Sequence, residues 1–343
     1  MFSRNNCRFG EDRDLYPKLI VSDIDGTLLP AGCVPDSPEV REGIRELREL
    51  IAREKLQFTL ASGRPSVMVR PLWEALELSL PVVCCNGAEA GIPKMDEDIS
   101  EAVAGRPKNP SARISPTPDL LWDERLLPEL IRPAAELADS LGMAVIVTDG
   151  RAESVYRENA YTKKHAEAEH KWDFVYRPET EEAWQAYRLQ KLLIIDPQSP
   201  GRVDDVIAAL RKTEQEILAS GYPSRGNSAS GYPVAGSPAA GSQPEEKSLC
   251  EIVRYDDRGA EIMPKGCTKE NGVRRLCGRL GIPLSEVLVC GDNQNDVGMF
   301  REAGMSAAVG NAADAAKQAA SYICRENAVF GVLEAVRYFL KGE

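Results

Sequence analysis

The chain has few of the residues on which several common protein classes depend. Only two of its 343 residues are histidines, His165 and His170, so hydrolysis based on histidine is not expected. Its nine cysteines show no Cys-x-x-Cys spacing, which argues against a zinc site. No apolar run approaches the roughly 20 residues of a membrane helix, and residues 1–18 lack the apolar core of a secretory signal. These absences predict a cytoplasmic protein with no membrane contact.

Positive charge is also scarce. Fifty-three acidic residues against 42 basic ones give a net charge of −11, which opposes non-specific binding to nucleic acid. Charged residues make up 28% of the chain and apolar residues 43%, values typical of a globular protein. At roughly 150 residues for each domain, a chain of this length can form two. We therefore expect two folded domains and no nucleic-acid partner, while protein partners stay unknown.

Apolar runs alternate with helical patterns at both ends of the chain. Strands are predicted at Leu19–Ser22, Phe58–Ala61 and Pro81–Cys85, and the pattern resumes with a strand at Val287–Cys290. Alternation of this kind is typical of an α/β fold with a doubly wound parallel sheet. The predicted division is an N-terminal tail at 1–17, a core domain at 18–87 plus 263–343, and an inserted α/β domain at 88–262.

Two stretches of the insertion have compositions that oppose folding. Residues 94–119 are rich in proline and charge, whereas residues 219–247 are rich in Gly, Ser, Pro and Ala and contain Ala-Ser-Gly-Tyr-Pro twice. Because the second stretch can bury little apolar surface, we predict a flexible surface insertion at 219–247. Three aromatic residues of the insertion are interpreted as core in preference to a ligand-stacking site: Trp172, Trp184 and Tyr187.

Two carboxylates, Asp23 and Asp25, follow the first predicted strand and are separated by one residue. If the two point in different directions, one can face a metal and phosphorus while the other transfers protons. Gly26 permits a sharp turn with exposed backbone N–H groups, and Thr27 adds a hydroxyl donor. This arrangement suits phosphoryl transfer through an aspartyl phosphate.

The other predicted core strands also end in polar motifs, and the carboxyl ends of parallel strands are where ligands bind. Asp292 and Asp23 can supply two oxygen ligands to Mg²⁺, and Asp296 can add a third or orient a bound water. Donors for the phosphoryl oxygens follow the second strand, namely Ser62, Gly63 and Arg64.

A lysine is expected to complete the phosphate site, and the segment beginning at Pro264 offers Lys265 and Lys269. Spacing alone does not choose between them. Each motif alone also has a structural interpretation as a capped turn, a helix start or a solvated loop. It is the occurrence of all four after predicted strands that favours a phosphoryl-transfer site.

The four motifs resemble those of the haloacid-dehalogenase (HAD) superfamily, and the layout is similar to its Cof-type sugar-phosphatase branch. They are Asp-Ile-Asp-Gly-Thr-Leu-Leu from Asp23, Ala-Ser-Gly-Arg-Pro from Ala61, Cys-Thr-Lys-Glu-Asn-Gly from Cys267 and Gly-Asp-Asn-Gln-Asn-Asp from Gly291. The match covers about Lys18 to Asn86 and about Glu261 to Leu340. It implies a Rossmann-like core whose inserted α/β cap closes over the substrate.

The resemblance also implies roles for individual residues. Asp23 is the nucleophile and a Mg²⁺ ligand, and Asp25 is the general acid and base, whose main-chain carbonyl also binds the metal. The lysine of the motif follows a Ser or Thr, which favours Lys269. The remaining implied site residues are Ser62 and Lys269 on the phosphate, Asp292 on the metal, Asn295 on the phosphate with Asp296 in support, and Arg64, Asn86 and Asn311 lining the pocket.

The chain departs from the family pattern at Glu270, where a glycine is frequent, although a spacing that fits Gly272 also occurs. The stretches 94–119 and 219–247 look like additions to the cap, which leaves the substrate open. We therefore predict a Mg²⁺-dependent phosphatase of small phosphorylated metabolites, with sugar phosphates favoured. The alternatives are a phosphomutase on the same core and a non-catalytic protein that binds a phosphorylated ligand.

Overall fold

The structure is a computed structural model that describes residues 16–93, 120–148, 153–168, 174–175, 184–185, 189–221, 248–255 and 258–341. The predicted addition (94–119) and residues 222–247 of the predicted flexible insertion lie outside these ranges. Trp172 and Tyr187 also lie outside them. Among the described helices, none is long and apolar enough to cross a membrane.

The strands within the described ranges are, in chain order, β1 (Leu19–Ser22), β2 (Phe58–Leu60), β3 (Val82–Cys84), β4 (Glu89–Gly91), β5 (Leu120–Asp123), β6 (Ala144–Thr148), β7 (Glu153–Val155), β8 (Phe174–Val175), β9 (Lys191–Ile195), β10 (Cys250–Tyr255), β11 (Gly259–Pro264), β12 (Val287–Gly291), β13 (Met305–Ala308) and β14 (Tyr322–Ile323). The helices are α1 (Arg41–Glu54), α2 (Ser66–Ala75), α3 (Pro128–Ser140), α4 (Ala160–Ala168), α5 (Val203–Ala219), α6 (Lys269–Leu280), α7 (Val297–Glu302), α8 (Asp314–Ala319) and α9 (Ala328–Lys341). Short 3₁₀ turns occupy Cys85–Gly87, Leu284–Glu286 and Gln294–Asp296.

A five-stranded parallel sheet of order β14-β13-β12-β1-β2 forms the core. The fully buried β1 pairs with β12, with Leu19 opposite Val287, and with β2, with Ile20 opposite Phe58. After β1 the chain continues to β2, toward one edge of the sheet, and after β12 it continues to β13, toward the other edge. Since such crossovers are right-handed, α1 and α7 cover opposite faces. The predicted α/β fold with a doubly wound parallel core sheet is thus confirmed.

The β3 strand joins this sheet through a parallel bridge between Ala61 and Val83, and it then pairs antiparallel with β4, which pairs with β5. Ala90 of β4 and Trp122 of β5 are buried in the same apolar cluster as β1. The Trp122 indole also donates to the carbonyl of Gly87 at 2.9 Å. The strands β4 and β5, which fall within the predicted insertion at 88–262, therefore pack with the core cluster. The predicted domain boundaries stay predictions.

The inserted segment builds a second sheet of order β10-β11-β9-β6-β7-β8 with its own apolar cluster. Helices α3 and α5 pack against each other over this cluster. Trp184 lies inside it at 1% exposure, edge-on to Tyr156 with ring centroids 5.9 Å apart. The interpretation of Trp184 as a core residue is thereby confirmed.

Glu214 of α5 binds residues Ser248 and Leu249, which directly precede β10. One carboxylate oxygen accepts hydrogen bonds from the Leu249 N–H at 2.5 Å and the Ser248 hydroxyl at 3.0 Å. The other accepts from the Arg211 guanidinium at 2.6 Å. Burial alone raises the pKa of Glu214, but these donors outweigh it and hold the pKa below the ordinary value. The ionised carboxylate therefore stabilises this part of the cap.

We expect Glu214→Gln to lower the thermal midpoint near pH 7 but to matter less in acid. Because the folded pKa is the lower one, the stabilisation by Glu214 is present above the unfolded pKa of about 4.3 and is lost as pH falls through the folded pKa. Thermal unfolding from about pH 7 to about pH 3 should show the two proteins converging. Exposed Glu216→Gln is the control, and a constant difference at every pH would contradict the prediction.

Candidate active site

Asp23 and Asp25 follow β1 with very different exposure. Asp23 is 3% exposed, whereas the side chain of Asp25 is 53% exposed. Between Asp25 and Thr27, Gly26 has a φ of +79°, and a Cβ on it would lie 2.2 Å from an oxygen of Asp292. Only glycine permits both the conformation and this close approach. The turn thus places Asp23 inside the protein, Asp25 at the surface and Asp292 directly against the backbone between them.

Lys269 reaches Asp23 from the first turn of α6. Its ammonium donates to Asp23 Oδ1 at 2.6 Å and to Asp296 Oδ1 at 2.8 Å, and its side chain is 1% exposed. Lys265, the other candidate from the sequence, is about half exposed and lies 3.7 Å from Glu251. The structure therefore brings Lys269, and not Lys265, to the first carboxylate of the Asp-x-Asp motif.

The approach of α6 to the sheet depends on small residues. A Cβ on Gly272 would lie 2.5 Å from a methyl group of Val83, and one on Gly87 would lie 2.4 Å from the Thr268 carbonyl oxygen. Larger side chains here would push the first turn of α6 away from β3. Gly272, noted above as the glycine that fits an alternative family spacing, thus lies at a contact that helps to set the position of Lys269.

Asp292 and Asp296 form an acidic cluster with Asp23, in which one oxygen of each residue lies within 4.8 Å of the others. Asp296 uses one oxygen for Lys269, and its other oxygen accepts the N–H groups of Asp292 and Asn293, each at 3.0 Å. With both oxygens engaged, Asp296 is placed to support the cluster. Asp23 and Asp292 are the side chains placed to hold a cation.

The charges of this cluster are not balanced. Burial raises the pKa of Asp23 well above its usual range, although Lys269 opposes the rise, and burial raises the pKa of Asp292 as well. Burial would lower the pKa of Lys269, but the carboxylates of Asp23 and Asp296 raise it above the ordinary value, so the ammonium stays charged. Three carboxylates against one ammonium leave negative charge that a divalent cation with oxygen ligands would neutralise. The donor set therefore fits Mg²⁺.

The loop after β2 carries the residues that the sequence predicts as phosphate donors, Ser62, Gly63 and Arg64. The Ser62 hydroxyl oxygen accepts the N–H of Arg64 at 3.1 Å, and Ser62 is fully buried. The Arg64 guanidinium holds both oxygens of Asp25, with its Nε 2.9 and 3.1 Å from them. The loop thus orients the Ser62 hydroxyl inside the site and the Asp25 carboxylate at its mouth.

Other predicted residues make contacts that the sequence did not suggest. The Thr27 hydroxyl donates to Asp292 at 2.9 Å, so its single proton supports the acidic cluster. The Asn311 amide donates to the Gly26 carbonyl at 2.7 Å and holds the turn. Asn295 lies exposed in a 3₁₀ turn. The roles of Thr27, Asn295 and Asn311 toward a substrate stay predictions.

Two cap residues at this site were not found from the sequence, Lys191 of β9 and Glu261 of β11. Both are buried, at 6% and 4% exposure, and their charged groups lie 3.2 Å apart. Lys191 donates to the Gly63 carbonyl at 3.2 Å, and Glu261 accepts from the Asn86 amide at 3.0 Å. The only signal in the sequence is that each is a charged residue within or beside a short apolar run.

Comparison with known proteins agrees with this geometry. Residues 20–104 and 240–336, more than half of the chain, match the family of haloacid dehalogenase-like hydrolases. A doubly wound core with an acidic cluster at its strand ends is the framework on which these motifs lie. The chain therefore belongs to the haloacid dehalogenase-like hydrolases, and the resemblance drawn from the sequence motifs is confirmed.

Individual relatives show how far the similarity extends. The chain is 38% identical over 93 residues to phosphoglycolate phosphatase of Methanobrevibacter smithii, a match that covers 27% of this chain and only 40% of that protein. It is 25% identical over 237 residues to the 5-amino-6-(5-phospho-D-ribitylamino)uracil phosphatase YcsE of Bacillus subtilis, covering 64% of this chain and 92% of the relative.

A solved structure, that of a HAD subclass IIB sugar phosphatase, superimposes with a TM-score of 0.63 at 19% identity, covering 95% of this chain and 98% of the other. At this identity the likeness concerns the fold. The family membership confirms the prediction of a hydrolase-family enzyme, and both relatives carry the names of phosphatases.

Proposed function

We propose that this protein hydrolyses small phosphorylated metabolites, with sugar phosphates as expected substrates, through a phosphorylated Asp23 and with Mg²⁺ as cofactor. One observation carries the proposal. The buried carboxylate of Asp23 accepts a hydrogen bond from the Lys269 ammonium at 2.6 Å, and one oxygen of each of Asp23, Asp292 and Asp296 lies within 4.8 Å of the others. This chemistry requires a nucleophile next to an ammonium that can neutralise a phosphoryl group and next to carboxylates that can hold a cation.

In the first half-reaction, Asp23 attacks phosphorus while the bond from phosphorus to the substrate oxygen breaks. Asp25 donates its proton to the departing alkoxide. In the second half-reaction, Asp25 takes a proton from the water that attacks phosphorus, which releases inorganic phosphate and regenerates Asp23. The exposed position of Asp25, held by Arg64, suits exchange with both a leaving group and water.

Lys269 and Ser62 would hold the phosphoryl oxygens. The ammonium has three N–H donors, and Asp23 and Asp296 accept two of them, so the third can donate to phosphate. The Ser62 oxygen already accepts from the Arg64 N–H, which leaves its own O–H to donate. Bound Mg²⁺, held by the carboxylates of Asp23 and Asp292 and the carbonyl of Asp25, would neutralise charge on the nucleophile and the phosphoryl group.

The test is release of inorganic phosphate from sugar phosphates, nucleotides and pyridoxal phosphate, with Mg²⁺ or EDTA, in parallel with an Asp23→Asn variant. Metal-dependent release that the variant loses is the expected result. An isomeric sugar phosphate in place of free phosphate would indicate a phosphomutase, and binding without turnover would indicate a non-catalytic protein. The cytoplasmic location expected from the sequence stays a prediction.

We expect Mg²⁺ to raise the thermal midpoint of the wild type but not of Asp292→Asn. A ligand that binds only the folded state adds about 2.7 kcal/mol of stability at a hundred times its dissociation constant. The variant loses one of the two placed carboxylates and should show little shift. Differential scanning fluorimetry up to about 10 mM MgCl₂ measures this directly. Asp36→Asn changes an exposed carboxylate in the same way and should respond like the wild type.

A further inference from the structure

A chain of polar contacts connects the cap to the loop after β2, residues 62–64, which we call the phosphate loop. Lys191, the first residue of β9, donates to the Gly63 carbonyl at 3.2 Å and pairs with Glu261 of the adjacent strand β11 at 3.2 Å. The second oxygen of Glu261 accepts from the Asn86 amide at 3.0 Å. Two cap strands thus contact the loops that follow β2 and β3, through three buried side chains and the partly buried Gly63.

The contact at Gly63 determines the direction of a peptide group. In a trans peptide the carbonyl of Gly63 and the N–H of Arg64 point in opposite directions. Lys191 holds the carbonyl, and the N–H donates to the Ser62 hydroxyl oxygen at 3.1 Å. Because that N–H occupies one side of the Ser62 oxygen, the hydroxyl proton must point elsewhere. The orientation of the Ser62 hydroxyl therefore depends on the peptide that Lys191 holds.

Charge makes this contact stronger than an ordinary turn hydrogen bond. Hydrogen bonds from an ionised donor are roughly twice as strong as those between neutral groups. A buried ammonium also needs a counter-charge, and Glu261 provides it within the cap. Glu261 is in turn fixed by Asn86, which lies next to the same loop: a Cβ on Gly63 would be 3.2 Å from the Asn86 amide oxygen.

We propose that Lys191 is a positioning residue, which orients the Ser62 hydroxyl toward the substrate phosphate through the Gly63–Arg64 peptide, with Glu261 fixing its ammonium. The inference rests on the proposed function, in which Ser62 is a phosphate donor. Its consequence is that phosphate affinity depends on a cap residue that acts through the core. The cap then does more than cover the leaving group, since its contact at Gly63 orients a donor to the phosphate.

The experiment is a double-mutant cycle of Lys191→Met and Ser62→Ala, measured in Mg²⁺ as KM and as the inhibition constant of inorganic phosphate. Each single substitution is expected to raise both constants about tenfold. If Lys191 acts through Ser62, the double variant should be no worse than about tenfold, whereas independent effects would multiply to about a hundredfold. Lys191→Arg, which keeps a charged donor, should restore both constants to within about threefold of the wild type.

Arg202→Met is the matched control. Arg202 pairs at 2.6 Å with buried Asp196, which follows β9 about 16 Å along the strand from Lys191. The Arg202→Met substitution should lower the thermal midpoint without changing the inhibition constant of inorganic phosphate. If Lys191→Met alone does not fold, Lys191→Met with Glu261→Gln removes the whole ion pair and replaces it in the cycle.

Two results would overturn the positioning role while the proposed function stands. One is an active Lys191→Met protein with unchanged KM and phosphate inhibition, and the other is multiplicative effects with Ser62→Ala. A wild type that releases no phosphate from any compound would instead contradict the proposed function, and the role of Lys191 with it.

Discussion

Asp23→Asn is expected to lower the rate of phosphate release by at least about 10⁴-fold while the protein stays folded. An amide cannot attack phosphorus, so no phosphorylated intermediate forms. The substitution is nearly isosteric, and the Lys269 ammonium, now 2.6 Å from an Asp23 oxygen, can still donate to the amide oxygen. Loss of activity should therefore reflect the missing nucleophile and not a rearranged site.

The stability of Asp23→Asn is not expected to fall with its activity. Burial raises the pKa of Asp23 above its usual range, which means that the folded protein disfavours the ionised form. A neutral asparagine should accordingly leave the thermal midpoint unchanged or raise it. Phosphate release at saturating substrate and thermal unfolding check the two halves of the prediction.

Comparison of Asp25→Ala with Asp23→Asn separates the role of the proton donor from that of the nucleophile. Asp25 lies at the surface of the site, so its loss should slow both half-reactions but by less than the loss of Asp23. Phosphorylated protein should be detectable by mass spectrometry after acid quenching for this variant and absent for Asp23→Asn. Phosphorylation that persists in Asp23→Asn would show that another residue is the nucleophile.

Lys269→Met is expected to lower kcat/KM by about 10³-fold and to reduce the free energy of unfolding by about 3 kcal/mol. The ammonium is 1% exposed and lies between two carboxylates, at 2.6 Å from Asp23 and 2.8 Å from Asp296. Without it those carboxylates face each other with no positive charge between them, and the phosphate loses a charged donor. Activity and denaturant unfolding measure the two effects separately.

Lys265→Met is the matched control because Lys265 was the other lysine that the sequence allowed. Its side chain is about half exposed, and the Glu251 carboxylate lies 3.7 Å from its ammonium. We expect its substitution to leave both activity and stability close to those of the wild type. A loss equal to that of Lys269→Met would mean that the phosphate lysine is assigned to the wrong residue.

Much of the framework followed from local patterns. The strand predicted at Leu19–Ser22 is β1 with the same bounds, and the strand predicted at Val287–Cys290 is β12, one residue longer in the structure. Unbroken apolar runs bounded by turn residues define buried parallel strands, and parallel strands bring their carboxyl ends to one edge. The proximity of Asp23 to Asp292 was predictable for that reason.

The contacts between these side chains depend on distances between elements. Lys269 reaches Asp23 because α6 approaches β3 at Gly272, which no spacing along the chain reveals. The Thr27 hydroxyl donates to Asp292, 265 residues away in the sequence, so its partner depends on how β1 and β12 align. Arg64 similarly contacts Asp25 only because β1 and β2 are neighbours in register.

The fold class, the family and the set of candidate site residues followed from the order of residues, because periodicity and motif spacing are local properties of a chain. The family motif already favoured Lys269 over Lys265 and implied a supporting role for Asp296. The contacts that these residues make, and the link from Lys191 through Glu261 to the loop after β2, were decided by tertiary structure alone. Lys191 and Gly63 are 128 residues apart, and the cap brings them to 3.2 Å. The strength of a hydrogen bond or ion pair depends on the distance between its groups in space, and a linear sequence does not contain that distance.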